Sequence, residues 1–125
     1  MFSVEEIPPG VVRLTFAGGM TVADEAAYLA TLDRLATRET PFVVVALMAG
    51  RNPLSPDSRK RQALWFKRSR EQLRSYCRGL VRVPGGSAHD PGRDRLAAAL
   101  PFPLAHAGSE VEAVAIAHRL LAGGQ

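Results

Sequence analysis

The stretch Phe42-Val43-Val44-Val45-Ala46-Leu47-Met48, which follows Pro41, decides the fold of this 125-residue chain. All of its residues are apolar and several are β-branched, so it lacks the alternation of a strand with one face in water. A continuous apolar run of this length is typical of a strand buried on both faces, as in a parallel sheet covered by helices. We therefore predict a central strand over 42–48.

The residues before this strand predict a hairpin and a helix. Phe2–Glu6 and Val11–Phe16 are candidate strands, and Pro8-Pro9-Gly10 between them is a turn signal. Thr21 is a suitable N-cap for a helix that runs to about Arg38, because Asp24 completes a capping-box-like pattern with it.

The residues after the central strand predict a long helix. Ser55 is a suitable N-cap, and Pro56 suits the first helical position, where a missing N–H has no cost. The pattern continues to Arg78, and Gly79 is the residue type that commonly ends a helix. We predict one helix over 56–78.

The remaining segments alternate between strands and helices. They are a short strand over 80–83, an exposed loop over Pro84–Arg93, a helix over 94–100, an edge strand over 102–107, and a last helix capped by Ser109 with Glu112. The element order β-β-α-β-α-β-α-β-α predicts an α/β fold with a mixed, mostly parallel five-stranded sheet. The length predicts a single domain over 1–125.

Positive charge is concentrated in the long helix. Between residues 59 and 78 the segment has a formal charge of +7, whereas the whole chain has +4, so the other residues sum to −3. Glu71 is the one acid in the segment, and the basic residues are Arg59, Lys60, Arg61, Lys67, Arg68, Arg70, Arg74 and Arg78. A local field of this kind can orient a partner.

Two interpretations of this charge stay open at the level of sequence. It forms either a docking surface for an acidic protein or a second copy of the chain, or a helix face that is simply solvated. A nucleic acid is disfavoured because aromatic residues do not interleave with the basic stripe. The predicted partner-binding residues are Lys60, Trp65, Lys67, Arg68, Arg74 and Arg78.

The helical wheel of this segment separates an apolar face from the basic one. Phe66 and Leu73 fall on the apolar face and are predicted to be buried. Trp65, the single tryptophan, lies at the edge of that face, about 80° from Leu73 in a continuous helix. A half-exposed Trp65 fits either a contact surface or the boundary of the core.

Catalytic and metal sites have little support in the sequence. His89-Asp90 is the one pair that suggests acid–base chemistry, and it lies in a glycine-rich loop. His106 and His118 have no histidine or cysteine one helical turn away, so no local metal pair exists. Cys77 is the single cysteine, which excludes an internal disulfide. We expect no cofactor and no metal.

The same features indicate where the protein acts. No stretch approaches the ~20 apolar residues of a membrane span, and the N-terminus has no signal-peptide pattern. We expect a cytoplasmic protein without a transmembrane segment.

The chain resembles the STAS, or SpoIIAA-like, domain family in its element order and in the succession of the strand Phe42–Met48, the loop Ala49–Leu54 and the helix entered at Ser55-Pro56. In that family the loop typically carries an Asp-Ser-Ser-Gly-like sequence whose first serine is phosphorylated in regulatory members. This chain has Asn52-Pro53-Leu54-Ser55-Pro56-Asp57-Ser58 instead. The resemblance implies regulation through a protein partner, with Ser55 or Ser58 as the candidate phosphorylation site.

The sequence thus favours a non-enzymatic regulatory or scaffolding module that docks a partner through helix 56–78 and the loop before it. A small-ligand or lipid-binding module of the same fold is the alternative, with a pocket under the loop Pro84–Arg93. A small enzyme that uses His89 and Asp90 is the third hypothesis.

Overall fold

The computed structural model describes residues 1–17, 20–48, 55–83 and 100–123. Its regular elements in chain order are the strands and helices β1 Phe2–Ile7, β2 Val11–Phe16, α1 Val22–Leu35, β3 Phe42–Met48, α2 Pro56–Arg68, α3 Arg70–Tyr76, β4 Cys77–Val83, β5 Leu104–His106 and α4 Glu110–Gly123. No helix of this described part is long and apolar enough to cross a lipid bilayer.

The strands form one sheet in the order β1-β2-β3-β4-β5, so β3 lies at its centre as predicted. The pair β1–β2 is antiparallel, whereas the pairs β2–β3, β3–β4 and β4–β5 are parallel. The predicted α/β class with a mixed, mostly parallel five-stranded sheet is confirmed. The predicted hairpin and the edge position of β5 are also present.

Alternate residues of β3 enter two different cores. Phe42, Val44 and Ala46 belong to one hydrophobic cluster, while Val43 and Val45 belong to the other. Successive side chains of a strand point to opposite faces of the sheet, so a strand covered on both faces must be apolar throughout. This is why the run over 42–48 shows no alternation.

The helices cover the two faces of the sheet unequally. α4 packs on β2, β3 and β4 and closes one face. On the other face α1 packs on β1, and α3 packs on β4. Since α2 packs on α1 and α3, it bridges these two helices above the middle of the sheet.

The prediction of one continuous helix over 56–78 is wrong. The helix breaks at Ser69, a buried residue with φ −100° and ψ 8°, which separates α2 from α3. Hydrogen bonding continues across the break, since the Ser69 N–H donates to the Trp65 carbonyl oxygen and the Leu73 N–H donates to that of Ser69. The backbone hydrogen bonding is therefore maintained across the break at Ser69.

β4 also begins earlier than predicted, at Cys77, so Arg78 and Gly79 lie in a strand and Gly79 is not a helix cap. A register shift opposite Phe42 and Val43 pairs Phe42 with Cys77 and Val43 with Gly79. Arg78 is the extra residue of this bulge, and such an insertion reverses which face each later residue of the strand meets.

Other predicted boundaries shift by a few residues. α1 ends at Leu35 instead of near Arg38, and β5 covers 104–106 instead of 102–107. The capping boxes are largely as predicted, since Thr21 and Asp24 exchange hydrogen bonds and the Glu112 N–H donates to Ser109 Oγ. The loop over 84–93 and nearly all of the predicted helix over 94–100 lie outside the described residues.

We predict that Gly10→Ala destabilises the fold by roughly 1–3 kcal/mol, in the range of overpacking. A Cβ at Gly10 would lie 2.7 Å from the Pro41 carbonyl oxygen, and the Gly10 carbonyl accepts the Val43 N–H, so neither backbone can move freely. Gly123→Ala is the matched control, because nothing lies within 4 Å of a Cβ there. Urea unfolding curves measure the stability of the wild-type protein and of both variants. A Gly10→Ala variant that unfolds at the same urea concentration as wild type would contradict this account of Gly10.

Candidate functional site

An apolar cavity of about 350 Å³ lies between the sheet and the helices α1, α2 and α3. The sheet contributes side chains from β2, β3 and β4 to its wall, and the three helices close it from above. Its apolar lining consists of Leu14, Phe16, Leu32, Leu35, Phe42, Val44, Ala46, Met48, Trp65, Phe66, Leu73, Cys77, Leu80 and Phe102. The cavity is continuous with the hydrophobic cluster on this face of the sheet.

A few polar groups reach the same wall. Tyr28 Oη donates a hydrogen bond to Gln62 Oε1, which ties α1 to α2 across the top of the cavity. Burial raises the pKa of the Tyr28 hydroxyl, so this group stays a neutral donor. Arg82 lines the cavity from β4, and its side chain has no ion pair among the described residues. The cavity therefore combines a large apolar surface with a few fixed polar groups, as small-molecule sites do.

Trp65 lies in the core, with 5% of its surface exposed. Of the two interpretations of this residue, the core boundary is closer to the structure, and the prediction of a half-exposed contact residue is wrong. Trp65 and Leu73 are both buried, and even in a continuous helix they would point only about 80° apart, which lies within the width of one apolar face. Phe66, predicted to be buried, is half-buried and packs edge-on against Trp65.

The indole N–H of Trp65 is buried and has no hydrogen-bond partner among the described residues. An unsatisfied buried donor costs about 1–3 kcal/mol, so native proteins keep few of them. Cys77 lines the cavity as well, and burial raises the pKa of its thiol to about 12. A thiol this basic is protonated at neutral pH, which makes Cys77 an inert wall residue.

The basic residues of α2 and α3 form an exposed surface above the cavity. Lys60, Lys67, Arg68 and Arg74 are exposed as predicted. Three of the cations on these helices are partly neutralised by acids nearby, in the ion pairs Arg61–Asp57 at 3.1 Å, Arg68–Asp33 at 3.5 Å and Arg74–Glu71 at 3.2 Å. Lys60 and Lys67 have no ion pair within the described ranges, so they supply the least neutralised charge of this surface.

Arg78 does not belong to the exposed stripe. It is half-buried in β4, its Nη1 donates to the Ser75 carbonyl oxygen at 2.7 Å, and its Nε is buried with no partner among the described residues. The prediction that Arg78 is solvent-exposed is wrong because the chain leaves the helix at Tyr76.

A second cleft, of about 360 Å³, was not predicted from the sequence. Arg74, Arg78 and Arg119 line it together with Pro101, Phe102, Pro103, Leu120, Cys77 and Gly123. Its three arginines come from α3, β4 and α4, which are distant in the chain. Arg74 and Arg78 belong to the basic segment 59–78 that the sequence singled out, but no sequence pattern places Arg119 beside them.

Ser55 caps α2, as predicted. Its Oγ accepts the Ser58 N–H at 3.2 Å, and its own N–H donates to Glu25 Oε1 at 2.8 Å. This backbone hydrogen bond, with smaller contributions from the hydroxyls of Ser58 and Ser55, lowers the pKa of Glu25. A phosphate on Ser55 would thus face a carboxylate, which disfavours it. Ser58 is buried, so a kinase would reach it only after α2 opens.

The other candidate groups do not assemble into a site in this part of the molecule. His106 lies in β5 and His118 is exposed on α4. No group of three or more His, Cys, Asp or Glu residues close enough to hold a metal ion occurs within the described ranges. His89 and Asp90 lie outside the described residues, as do the loop 49–54 and the proposed pocket under Pro84–Arg93.

Comparison with solved structures finds a match along nearly the whole chain. It is the crystal structure of an uncharacterised DUF3478-family protein with a SpoIIAA-like fold, from Shewanella loihica PV-4, and the TM-score is 0.68. The alignment covers 94% of this chain and 92% of that one. This chain has a SpoIIAA-like fold. The sequences are only 12% identical, so the likeness establishes the SpoIIAA-like architecture and carries no activity with it.

No family model matches the sequence, and no curated protein matches it significantly. The solved structure alone confirms the predicted resemblance, and it does so at the level of the SpoIIAA-like fold. Any function has to be argued from the cavity and the charged surfaces themselves.

We predict that Ser55→Ala lowers the free energy of unfolding by about 1 kcal/mol, because the Ser58 N–H loses its acceptor. Ser55→Asn is the matched control, since asparagine caps helices as well as serine does and adds no charge beside Glu25. Chemical denaturation of both variants measures the effect. A loss as large in Ser55→Asn as in Ser55→Ala would show that Ser55 acts in some way other than as a cap.

Proposed function

We propose that this protein binds a small, mostly apolar ligand in the cavity between the sheet and helices α1–α3, and that it acts through binding and not through catalysis. The observation that carries the proposal is the cavity of about 350 Å³ with its nearly continuous apolar wall. Of the hypotheses that the sequence left open, this is the one that the geometry supports best.

The size of the cavity argues against an ordinary packing defect. Protein interiors contain few voids larger than a water molecule, and ligand sites typically have volumes of about 300–1,000 Å³. The space between the sheet and the helices is partly open to the outside, and its volume of about 350 Å³ falls within that range, so a small molecule can both enter it and be covered there.

The wall indicates the chemistry of the occupant. Water gains little in a space lined by leucine, valine and aromatic side chains, because it needs two to four polar partners. An apolar molecule buries its surface there at about 25 cal/mol per Å². Since α2 spans between α1 and α3 above the sheet, it forms the roof under which such a molecule would lie.

We expect the neutral fluorescent probe N-phenyl-1-naphthylamine to bind saturably and to receive energy transfer from Trp65. Trp65 is the single tryptophan and lines the cavity, so a probe bound there should receive efficient transfer. Ala46→Phe should weaken binding at least about tenfold, a difference of ~1.4 kcal/mol, because Ala46 lies in the cavity wall and the larger ring fills the space.

Ala63→Phe is the matched control, since it makes the same change at an exposed position of α2 and should leave binding intact. Circular dichroism and the melting temperature of each variant establish that it is folded. A wild-type protein that does not bind the probe saturably would refute the proposal, as would equal binding by a folded Ala46→Phe variant.

Docking of an acidic protein through the exposed cations of α2 and α3 is a second candidate function. The charges of Lys60 and Lys67, which have no ion pair among the described residues, and the exposure of Arg74 favour it. Attraction between exposed charges is screened by salt, with a Debye length of about 10 Å at 0.1 M. A complex formed in this way should weaken as the ionic strength rises.

The triple variant Lys60→Gln, Lys67→Gln, Arg74→Gln tests this second function. We expect it to stay within roughly 0.5 kcal/mol of wild type per substitution, because exposed ion pairs contribute little to stability. Its affinity for polyglutamate at low salt should fall, whereas Arg34→Gln, which removes an exposed cation of α1, should bind like wild type. Binding that survives the triple substitution would place docking elsewhere.

A further inference from the structure

The cleft lined by Arg74, Arg78 and Arg119 brings three cations together around about 360 Å³ of open space. Among the described residues, no acidic side chain lines it. Arg74 is paired with Glu71 on its own helix, but Arg78 and Arg119 have no ion pair among the described residues. The cleft therefore carries a positive charge that the described part of the protein does not neutralise.

Arg78 is held in place for an external acceptor. The bulge in β4 leaves it without a cross-strand partner, and one terminal nitrogen is fixed by the Ser75 carbonyl oxygen. Its Nε is buried, so this part of the side chain is held inside the protein, whereas Arg78 as a whole is only half-buried and lines the cleft. The second terminal nitrogen has no partner among the described residues and is the donor that can reach an anion in the cleft. Hydrogen bonds from a guanidinium to a carboxylate or phosphate are strengthened by charge.

The cleft adjoins the apolar cavity. Cys77 and Phe102 line both spaces, so the cavity and the cleft meet at these two side chains. Cys77 is neutral at physiological pH, and the half-buried Phe102 lies in the irregular segment that precedes β5. An arginine cleft on one side and an apolar cavity on the other are the two halves of a site for an amphipathic molecule.

We propose that the ligand of this protein is an anionic amphiphile, whose carboxylate or phosphate head binds Arg78 and Arg119 in the cleft while its apolar chain passes Cys77 and Phe102 into the cavity. This inference rests on the proposed function, because it assigns the ligand class of the same cavity. Carboxylate and phosphate heads share the anionic oxygens that a guanidinium recognises, and the experiment compares the two.

The test is displacement of N-phenyl-1-naphthylamine from the wild-type protein by decanoate, decyl phosphate and decan-1-ol. The three competitors share a ten-carbon chain, and only the alcohol lacks charge. We expect at least one of the anions to compete about tenfold better than the alcohol. Which anion competes better identifies the head group.

Arg78→Gln and Arg119→Gln should each reduce this preference for the anion about tenfold, while the affinities for the naphthylamine and for decan-1-ol stay unchanged. Lys67→Gln is the matched control, since it removes an exposed cation outside the cleft and should keep the full preference. Arg119 is exposed on α4, so we expect Arg119→Gln to fold. This variant still tests the preference for the anion if Arg78→Gln does not fold.

The outcomes separate the two proposals. If the naphthylamine binds but the anions compete no better than the alcohol, the amphiphile assignment is wrong and the apolar site stands. The same holds if a preference exists but both arginine variants retain it. If the naphthylamine does not bind at all, both proposals fail together.

Discussion

The burial of β3 on both faces is the constraint on which the rest of the structure depends. Phe42, Val43 and Val45 are almost completely removed from water, and they point alternately into the two cores. A strand of this kind needs a hydrogen-bonded neighbour on each edge and a helical layer above and below. β2 and β4 supply the neighbours, both parallel to β3. Parallel pairing requires crossover connections, which here are α1 and the α2–α3 pair and form one layer, whereas α4 follows β5 and forms the other.

The two layers differ because their side chains differ in size. On one face α4 presents Ala113 and Ala117, both fully buried, so the helix approaches the sheet closely and fills the space. Gly79 of β4 allows this approach, since a Cβ there would lie 2.7 Å from Leu120 Cδ1. On the other face the helices direct large aromatic side chains, chiefly Tyr28 and Trp65, toward the sheet, and the cavity lies among these side chains.

Two local irregularities, the break at Ser69 and the bulge in β4, shape the candidate binding site. α2 buries Trp65 and exposes Lys60 and Lys67, so this one helix, which ends at the break at Ser69, supplies both an apolar roof and a charged outer surface. The bulge opposite Phe42 and Val43 then removes Arg78 from the regular alternation of β4. The basic residues of the segment 59–78 therefore lie in two separate places, the outer surface and the cleft beside the cavity.

The sequence by itself determined the class of the fold and the position of its central strand. A continuous apolar run, turn residues at Pro8-Pro9-Gly10 and capping patterns at Thr21 and Ser55 are local signals, and local signals are legible from neighbours in the chain. Which surface carries Lys60 and Lys67 was also legible, because both lie on one uninterrupted helix. The basic charge of the segment 59–78 was correctly located, but its division between surface and cleft was not.

Only the tertiary structure decided where the helix ends, which face Trp65 takes and whether a cavity exists. The residues 69–78 have a composition compatible with a helix, and the chain becomes a strand at Cys77 because pairing with β3 offers a full ladder of hydrogen bonds. The meeting of Arg78 with Arg119 depends on the packing of α4 against β4. A cavity is the space left between side chains from β2, β3, β4 and three helices, and no pattern within a single element encodes it.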